Sequence, residues 1–85
     1  MRMLSPNTIK DIIMNNLDCD LVDVKGDDGT HFEALIVSKQ FQNISTIKQH
    51  QLVYRALGNM MQNEIHALSI KTMTPSSWEQ LKKME

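Results

Sequence analysis

The first apolar stripe along the chain predicts a helix close to the N-terminus. Ser5 and Pro6 form its start signal, since serine is a favoured N-cap and proline suits the first helical position. The apolar residues that follow recur at spacings of three and four, which is typical of one helical face; they are Ile9, Ile12, Ile13 and Leu17. We expect the first helix to run from about residue 6 to residue 17.

Two short β-rich runs follow and predict an antiparallel hairpin. The first contains Leu21, Val22 and Val24, and the second covers residues 31–38, with the sequence HFEALIVS. Both are rich in residues that favour strands. The segment between them, residues 26–29, consists of aspartate and glycine, which are strong turn formers.

A second apolar stripe predicts a long helix after a connector over residues 41–44. Its apolar positions come in pairs at a spacing of four, which is typical of a helix facing a core; they are Leu52, Val53, Ala56, Leu57, Met60 and Met61. Asn63 is the expected stop, because asparagine tolerates the left-handed conformation of a C-cap. This helical region could also be split in two near Ser45.

The C-terminal part predicts a third strand, over residues 65–73, and a last helix. Thr74 and Pro75 repeat the cap-then-proline signal, and Trp78 and Leu81 give the last helix its buried face. The element order is therefore α-β-β-α-(α)-β-α, and its long helical crossover suits parallel pairing of the second and third strands. We expect one α+β domain over residues 1–85, a three-stranded mixed sheet with helices on one face.

Composition limits the classes of function. Cys19 is the only cysteine, which excludes an internal disulfide and an iron–sulfur cluster held by four of the chain's own thiolates. The formal net charge of −1 gives no general attraction to nucleic-acid phosphates. No apolar run approaches the ~20 residues that span a bilayer, and the first residues lack a signal-peptide core. We therefore expect a cytoplasmic protein with no membrane contact.

The sequence contains no evident catalytic arrangement. Its three glycines, Gly26, Gly29 and Gly58, do not form a phosphate-binding loop. No serine, cysteine or lysine nucleophile has an evident base, and no two acids can be paired for acid–base work. We expect a binding protein and not an enzyme.

Four stretches of the sequence resemble the BolA family, and within it the short bacterial members of the IbaG type. They are GDDGTHFEALIVS (residues 26–38), QHQLVYRAL (49–57), EIHALSIKTMTP (64–75) and the following Trp78. The resemblance implies a fold like class II KH domains, which agrees with the element order above. It also implies a heterodimer with a monothiol glutaredoxin, in which the two proteins share a [2Fe-2S] cluster.

In that heterodimer the thiolates come from a glutaredoxin cysteine and from glutathione, and the roles implied are cluster trafficking and iron or stress regulation. We expect no cofactor in the isolated chain, for which a homodimer is left open. The resemblance also implies two ligands on this chain. His66 matches the family's histidine at the start of the last strand, and His31 matches the Cys or His of the loop between the first two strands.

The residues themselves leave alternatives open at these positions. His31 and His66 open strands that should be parallel neighbours, so both should lie at the same end of the sheet, and imidazole suits iron. Strict alternation could still put them on opposite faces, and a lone histidine often has a structural role. His50 is interpreted as a half-buried structural histidine, with a third cluster ligand as the alternative. Cys19 is interpreted as a small apolar filler.

A nucleic-acid-binding regulator is the alternative function, because KH-like folds often bind nucleic acid. Lys48 and Arg55 are its candidate contacts, on the long helix. The GDDG segment at residues 26–29 has the spelling of a KH loop, but it lies between strands and carries two acids. Gln49 and Gln51 stand where many family members have arginines. We expect any nucleic-acid binding to be weak, salt-sensitive and indifferent to sequence.

Overall fold

A computed structural model describes residues 5–26, 31–58 and 67–84 of the chain. The described part contains, in chain order, α1 (Pro6–Asn16), β1 (Leu21–Lys25), β2 (Phe32–Val37), a short 3-10 helix (Lys39–Phe41), α2 (Thr46–Leu57), β3 (Leu68–Met73) and α3 (Pro75–Lys83). This order and the α+β class confirm the prediction from the sequence. The helical region before β3 is divided ahead of Ser45, although its first part is a single 3-10 turn.

The ends of the first two α-helices differ from the predicted ones. α1 ends at Asn16, because Leu17 is already extended and serves as the C-cap. α2 ends at Leu57, since Gly58 adopts a φ of 61° at the C-cap, a conformation that glycine accepts readily. α2 therefore ends earlier than the apolar pattern predicted, and the predicted stop at Asn63 lies outside the described residues. Residues 59–66, which include Met60 and Met61, lie outside the described residues.

The strands form one mixed sheet in the order β1-β2-β3. β1 pairs antiparallel with β2, and β2 pairs parallel with β3 in a register that begins at Phe32 and Leu68. The predicted hairpin and the predicted parallel crossover are thus confirmed. β2 is shorter than expected, because His31 and Ser38 flank it, and β3 begins at Leu68 and not at residue 65.

The core lies between one face of this sheet and the two helices α1 and α2. α1 packs on β1 and on α2, and α2 packs on β3. The buried side chains of this core are Ile9, Ile13, Leu17, Val22, Phe32, Ala34, Ile36, Phe41, Val53, Ala56, Leu57 and Leu68. The alternate strand residues, such as Asp23, Glu33 and Lys71, are exposed on the opposite face. The predicted placement of helices on one face is confirmed for α1 and α2.

The last helix differs from its prediction. No residue of α3 is buried, and Trp78 and Leu81 are only half-buried. The face predicted to be buried in this helix is therefore only half-buried. The periodicity of Trp78 and Leu81 correctly indicated a helix, but the rest of the fold covers it only in part.

Gln49 joins three parts of the molecule from the middle of α2. Its side-chain amide donates hydrogen bonds to the backbone carbonyls of Phe41 and Ile44, at 3.0 and 3.3 Å. Its side-chain oxygen accepts a hydrogen bond of 2.6 Å from the hydroxyl of Thr72 in β3. This half-buried side chain thereby ties the connector and β3 to α2.

Candidate functional site

The first candidate surface is the end of the sheet at which β2 and β3 begin. His31 immediately precedes β2 and is exposed, and Ala67 immediately precedes β3. Because Phe32 pairs with Leu68 in the parallel register, these two strand starts lie side by side. We call this place, formed by His31 and Ala67, the strand-start edge. The prediction that the second and third strands begin at one end of the sheet is confirmed.

The expected pairing of His31 with His66 at this edge stays a prediction. His66 lies outside the described residues, as do residues 27–30 of the hairpin loop. The register does define the two faces of the sheet next to the edge. Phe32 and Leu68 face the core, whereas Glu33 and its neighbour Ser69 are exposed on the opposite face.

The backbone beside His31 is held by a close contact at Gly26. A Cβ atom added to Gly26 would lie 2.6 Å from Cδ1 of Phe32 and 3.0 Å from the carbonyl oxygen of His31. The first distance is shorter than real Cβ contacts allow, and the ring of Phe32 is buried in the core. Glycine at this position therefore lets the end of β1 approach the start of β2. The sequence predicted Gly26 only as a turn residue, because no neighbouring residue indicates that the ring of Phe32 packs against it.

Cys19 is unsuited to bind a metal as a thiolate. It follows α1, packs half-buried against the core, and its Sγ donates a hydrogen bond of 3.2 Å to the carbonyl of Leu17. Burial, followed by the negative charges of Asp18 and Asp20, raises the pKa of this thiol to about 11. Because metals and electrophiles react with the thiolate, this raised pKa makes Cys19 a poor ligand and a poor nucleophile near neutral pH. Its interpretation as a packing residue is confirmed.

His50 lies half-buried on α2, as the sequence predicted. Within the described residues, no three or more His, Cys, Asp and Glu side chains converge in a group that could hold a metal ion.

Over the described ranges, no helix has the length and apolar character to cross a membrane.

The second candidate surface is a groove of about 390 Å³ on α2 and the connector before it. We call it the α2 groove, and its lining residues are Gln40, Ile44, Lys48, Gln51, Leu52 and Arg55. Lys48 and Arg55 are both exposed and lie seven positions apart, which is two helical turns. The structure therefore brings together the two residues that the sequence had singled out for nucleic acid.

The two glutamines beside His50 have different environments. Gln49 is held inside by its bonds to the connector and to Thr72, whereas Gln51 lines the α2 groove. The sequence pattern does not distinguish these two positions, and only the folded chain shows that Gln49 is turned inward. Ile44 and Leu52 were not predicted as parts of a surface, because Ile44 belongs to the predicted connector and the spacing of Leu52 indicates only a helix face turned to the core.

The comparisons with known proteins identify the class to which this fold belongs. The fold is a small α+β domain, a three-stranded mixed sheet packed under α1 and α2, with a histidine at its strand-start edge. A sequence model described as BolA-like protein matches residues 13–77. The chain therefore belongs to the BolA family.

Three relatives show the range of this similarity. The acid stress protein IbaG of Escherichia coli (strain K12) is 39% identical over 79 residues, which are 92% of this chain and 93% of that protein. The structure of a BolA protein homologue from Coxiella burnetii has a TM-score of 0.79 and 42% identity, covering 91% of this chain and 99% of that one. The DNA-binding transcriptional regulator BolA of Haemophilus influenzae is 38% identical over 50 residues, 59% of this chain and 48% of that protein. The expected similarity to IbaG is confirmed.

Proposed function

We propose that this chain is a non-enzymatic partner protein that pairs with a monothiol glutaredoxin and supplies histidine ligands to a shared [2Fe-2S] cluster. One observation carries the proposal: in a chain of the BolA family, the exposed His31 lies where β2 and β3 begin side by side. A cluster shared between two proteins needs ligands at a surface that both can reach. Such a pair would serve cluster trafficking or the regulation of iron and stress responses.

The donor groups of this chain fit imidazole ligation better than thiolate ligation. Cys19, with a pKa of about 11, stays protonated at neutral pH, and its Sγ is engaged with a backbone carbonyl. Imidazole ligands on one iron of a [2Fe-2S] cluster have a precedent in Rieske centres. The glutaredoxin cysteine and glutathione would supply the thiolates. When bound, the cluster supplies one-electron redox chemistry, and this chain's part is to bind and orient it.

His66 is the second proposed ligand, and chain connectivity supports it. His66 precedes Leu68 by two positions, and two residues of chain span at most about 7 Å. Leu68 pairs with Phe32, the residue that follows His31. The proposal therefore needs His66 to lie no farther than two residues from a strand start that adjoins His31. Two imidazoles at one edge would let this chain occupy both free positions of one iron.

Co-expression with a monothiol glutaredoxin from the same cell tests the proposal. The visible absorption and circular dichroism of the purified complex report the cluster, and the thermal midpoint reports folding. His66→Ala should lose the cluster signal and stay folded. His31→Ala should lose a smaller part of the cluster signal, because water or a neighbouring group can replace a loop ligand. His50→Ala is the matched control, and it should lower the thermal midpoint more than it changes the spectrum.

Two outcomes would overturn this function. A wild-type chain that neither binds the glutaredoxin nor gives a coloured complex would contradict the pairing itself. A wild-type spectrum and cluster lifetime in both His66→Ala and His31→Ala would contradict the ligands.

Nucleic-acid binding is the second candidate function, and the α2 groove is the observation that favours it. Lys48 and Arg55 line this groove together, and one relative of this chain is named as a DNA-binding regulator. Two phosphate contacts would give a salt dependence with a slope of only about −2 in a plot of log affinity against log salt. Fluorescence anisotropy with labelled duplex DNA at several salt concentrations measures this slope. Nanomolar, sequence-specific binding at physiological salt would put this function first.

A further inference from the structure

The cations of the α2 groove belong to a long acid-free part of the sequence. Between Glu33 and Glu64 the chain has no acidic residue, but it has Lys39, Lys48 and Arg55. Seven of the ten acidic residues lie within the first 33 positions, and the formal net charge of the whole chain is −1. Its described residues, 34–58, form most of β2, the 3-10 helix, the connector and α2. This part therefore carries a net positive charge in a slightly acidic protein.

The α2 groove combines this positive charge with apolar side chains. Leu52 lines it between Lys48 and Arg55 and is half-buried. Ile47, which is 72% exposed, lies one helical turn before the lining residue Gln51. A single exposed isoleucine is unremarkable, but the i,i+4 spacing to Gln51 puts this one beside a charged groove.

We propose that the α2 groove is a docking site for an acidic protein segment that carries apolar side chains. Carboxylates of the segment pair with Lys48 and Arg55, and an aliphatic or aromatic side chain packs on Leu52 and Ile44. Charge complementarity selects this occupant, because two cations and no acidic residue line the groove. The side-chain amides of the lining glutamines can bond the backbone of the segment.

A nucleic acid fits this groove less well than such a segment. Affinity for nucleic acid grows with the number of phosphates that are neutralised, and only Lys48 and Arg55 line the groove as cations. Binding of single strands also relies on aromatic side chains on which bases stack. None of the lining residues is aromatic. The apolar side chains of Leu52 and Ile44 can pack against apolar peptide side chains, but they form no favourable contact with a phosphate backbone.

The proposed docking site is independent of the strand-start edge. The connector leaves β2 at Val37, the opposite end of that strand from His31, and α2 begins after it. Lys48 lies in the first turn of α2 and Arg55 lies two turns later, so the groove follows this helix and includes neither His31 nor Ala67. The inference goes beyond cluster sharing and does not depend on it.

Titration of the full ¹⁵N-labelled chain with synthetic ligands at physiological salt tests the inference. The first ligand is a short peptide with glutamate and leucine at helical spacing. Three comparison ligands are the same peptide with serine for leucine, the same peptide with lysine for glutamate, and a single-stranded DNA of similar length. The leucine-bearing acidic peptide should shift the amide signals of Lys48, Leu52 and Arg55. Each comparison ligand should bind at least about tenfold more weakly, which corresponds to the loss of one class of contact.

Variants at exposed positions locate the site without disturbing the core. The double variant Lys48→Glu, Arg55→Glu should weaken binding of the acidic leucine peptide at least about tenfold. The matched control Lys71→Glu, Lys83→Glu changes the net charge equally, on the opposite sheet face and on α3, and should leave the affinity unchanged. Ile47→Ser should weaken binding at an unchanged thermal midpoint.

Four results would overturn the inference. They are equal weakening by the two double variants, equal binding of the peptide without leucine, tighter binding of the DNA, and no binding of the acidic leucine peptide. Failure of the glutaredoxin experiment would leave all of these measurements unaffected.

Discussion

α2 and α3 begin with the same local signal but are held by the fold in different ways. The hydroxyls of Ser45 and Thr74 each accept a hydrogen bond from the backbone N–H three residues on. α2 then buries Val53, Ala56 and Leu57, whereas α3 buries no residue. The cap defines where each helix begins. Burial of one face decides how much the helix contributes to the stability of the domain.

Truncation of one leucine in each helix should give the largest difference between them. Leu57→Ala removes a side chain that is 1% exposed, and it should lower the free energy of unfolding by about 2–5 kcal/mol. Leu81→Ala in α3 should cost about 1 kcal/mol or less, because Leu81 is only half-buried. Urea denaturation of both variants measures the two losses. A loss at Leu81 as large as that at Leu57 would show that α3 is held as firmly as α2.

The polar contacts of α2 should give the next largest effect. Gln49→Ala leaves the carbonyls of Phe41 and Ile44 and the hydroxyl of Thr72 without their partner, and should cost about 1–3 kcal/mol. Gln51→Ala is the matched control in the same helix, and should change stability by less than about 0.5 kcal/mol.

A double-mutant cycle then isolates the contact between Gln49 and β3. Thr72→Val removes the hydroxyl that donates to Gln49, so its effect should shrink when Gln49 is already alanine. Additive losses would mean that this 2.6 Å hydrogen bond does not contribute to stability.

Removal of the helix caps should separate a global effect from a local one. Ser45→Ala and Thr74→Ala each delete one N-cap, which is worth about 1 kcal/mol. The loss at Ser45 should appear in the global free energy of unfolding. The loss at Thr74 should appear mainly as faster amide hydrogen exchange within α3, since this helix can open by itself. Equal exchange rates in α3 of wild type and Thr74→Ala would contradict this local opening.

The smallest effect is expected for the charged pair on α3. Nζ of Lys82 lies 3.6 Å from Oε1 of Glu79 and 6.0 Å from the ring centroid of Trp78. Both charged side chains are more than half exposed, so Lys82→Ala should change the free energy of unfolding by less than about 0.5 kcal/mol. A thermal melt at low and at high salt checks this. A larger, salt-sensitive loss would mean that the pair anchors α3.

The fold could be predicted from the sequence because its signals are local. Caps at Ser5 and Thr74 and the change from helical to strand periodicity gave the element order. The predicted end of α2 was too late because Met60 and Met61 continue the apolar spacing beyond the helix. That spacing gave no indication that the helix ends before Gly58. A helix that ends because one residue adopts a positive φ cannot be recognised from the spacing of apolar residues.

The sequence predicted only the part of the candidate site whose position follows from the order of the strands and helices. The crossover placed the starts of the second and third strands at one edge, and His31 is there. The contact of Gly26 with Phe32, the three bonds of Gln49 and the lining of the α2 groove arise from residues that are distant in sequence or meet only after folding. The sequence around each of these residues does not indicate which partners it contacts in the folded chain.

The parallel pairing of β2 with β3 also has a consequence for the order of folding. Within the hairpin Val24 pairs with Ala34, ten positions away, whereas Phe32 pairs with Leu68, 36 positions away. Closing the longer loop costs more chain entropy, and non-local pairing slows folding. We therefore expect the hairpin to form early and β3 to join late, once α2 has docked. A newly made chain would then acquire its strand-start edge in the last step, so that only a completely folded molecule presents that edge to another protein.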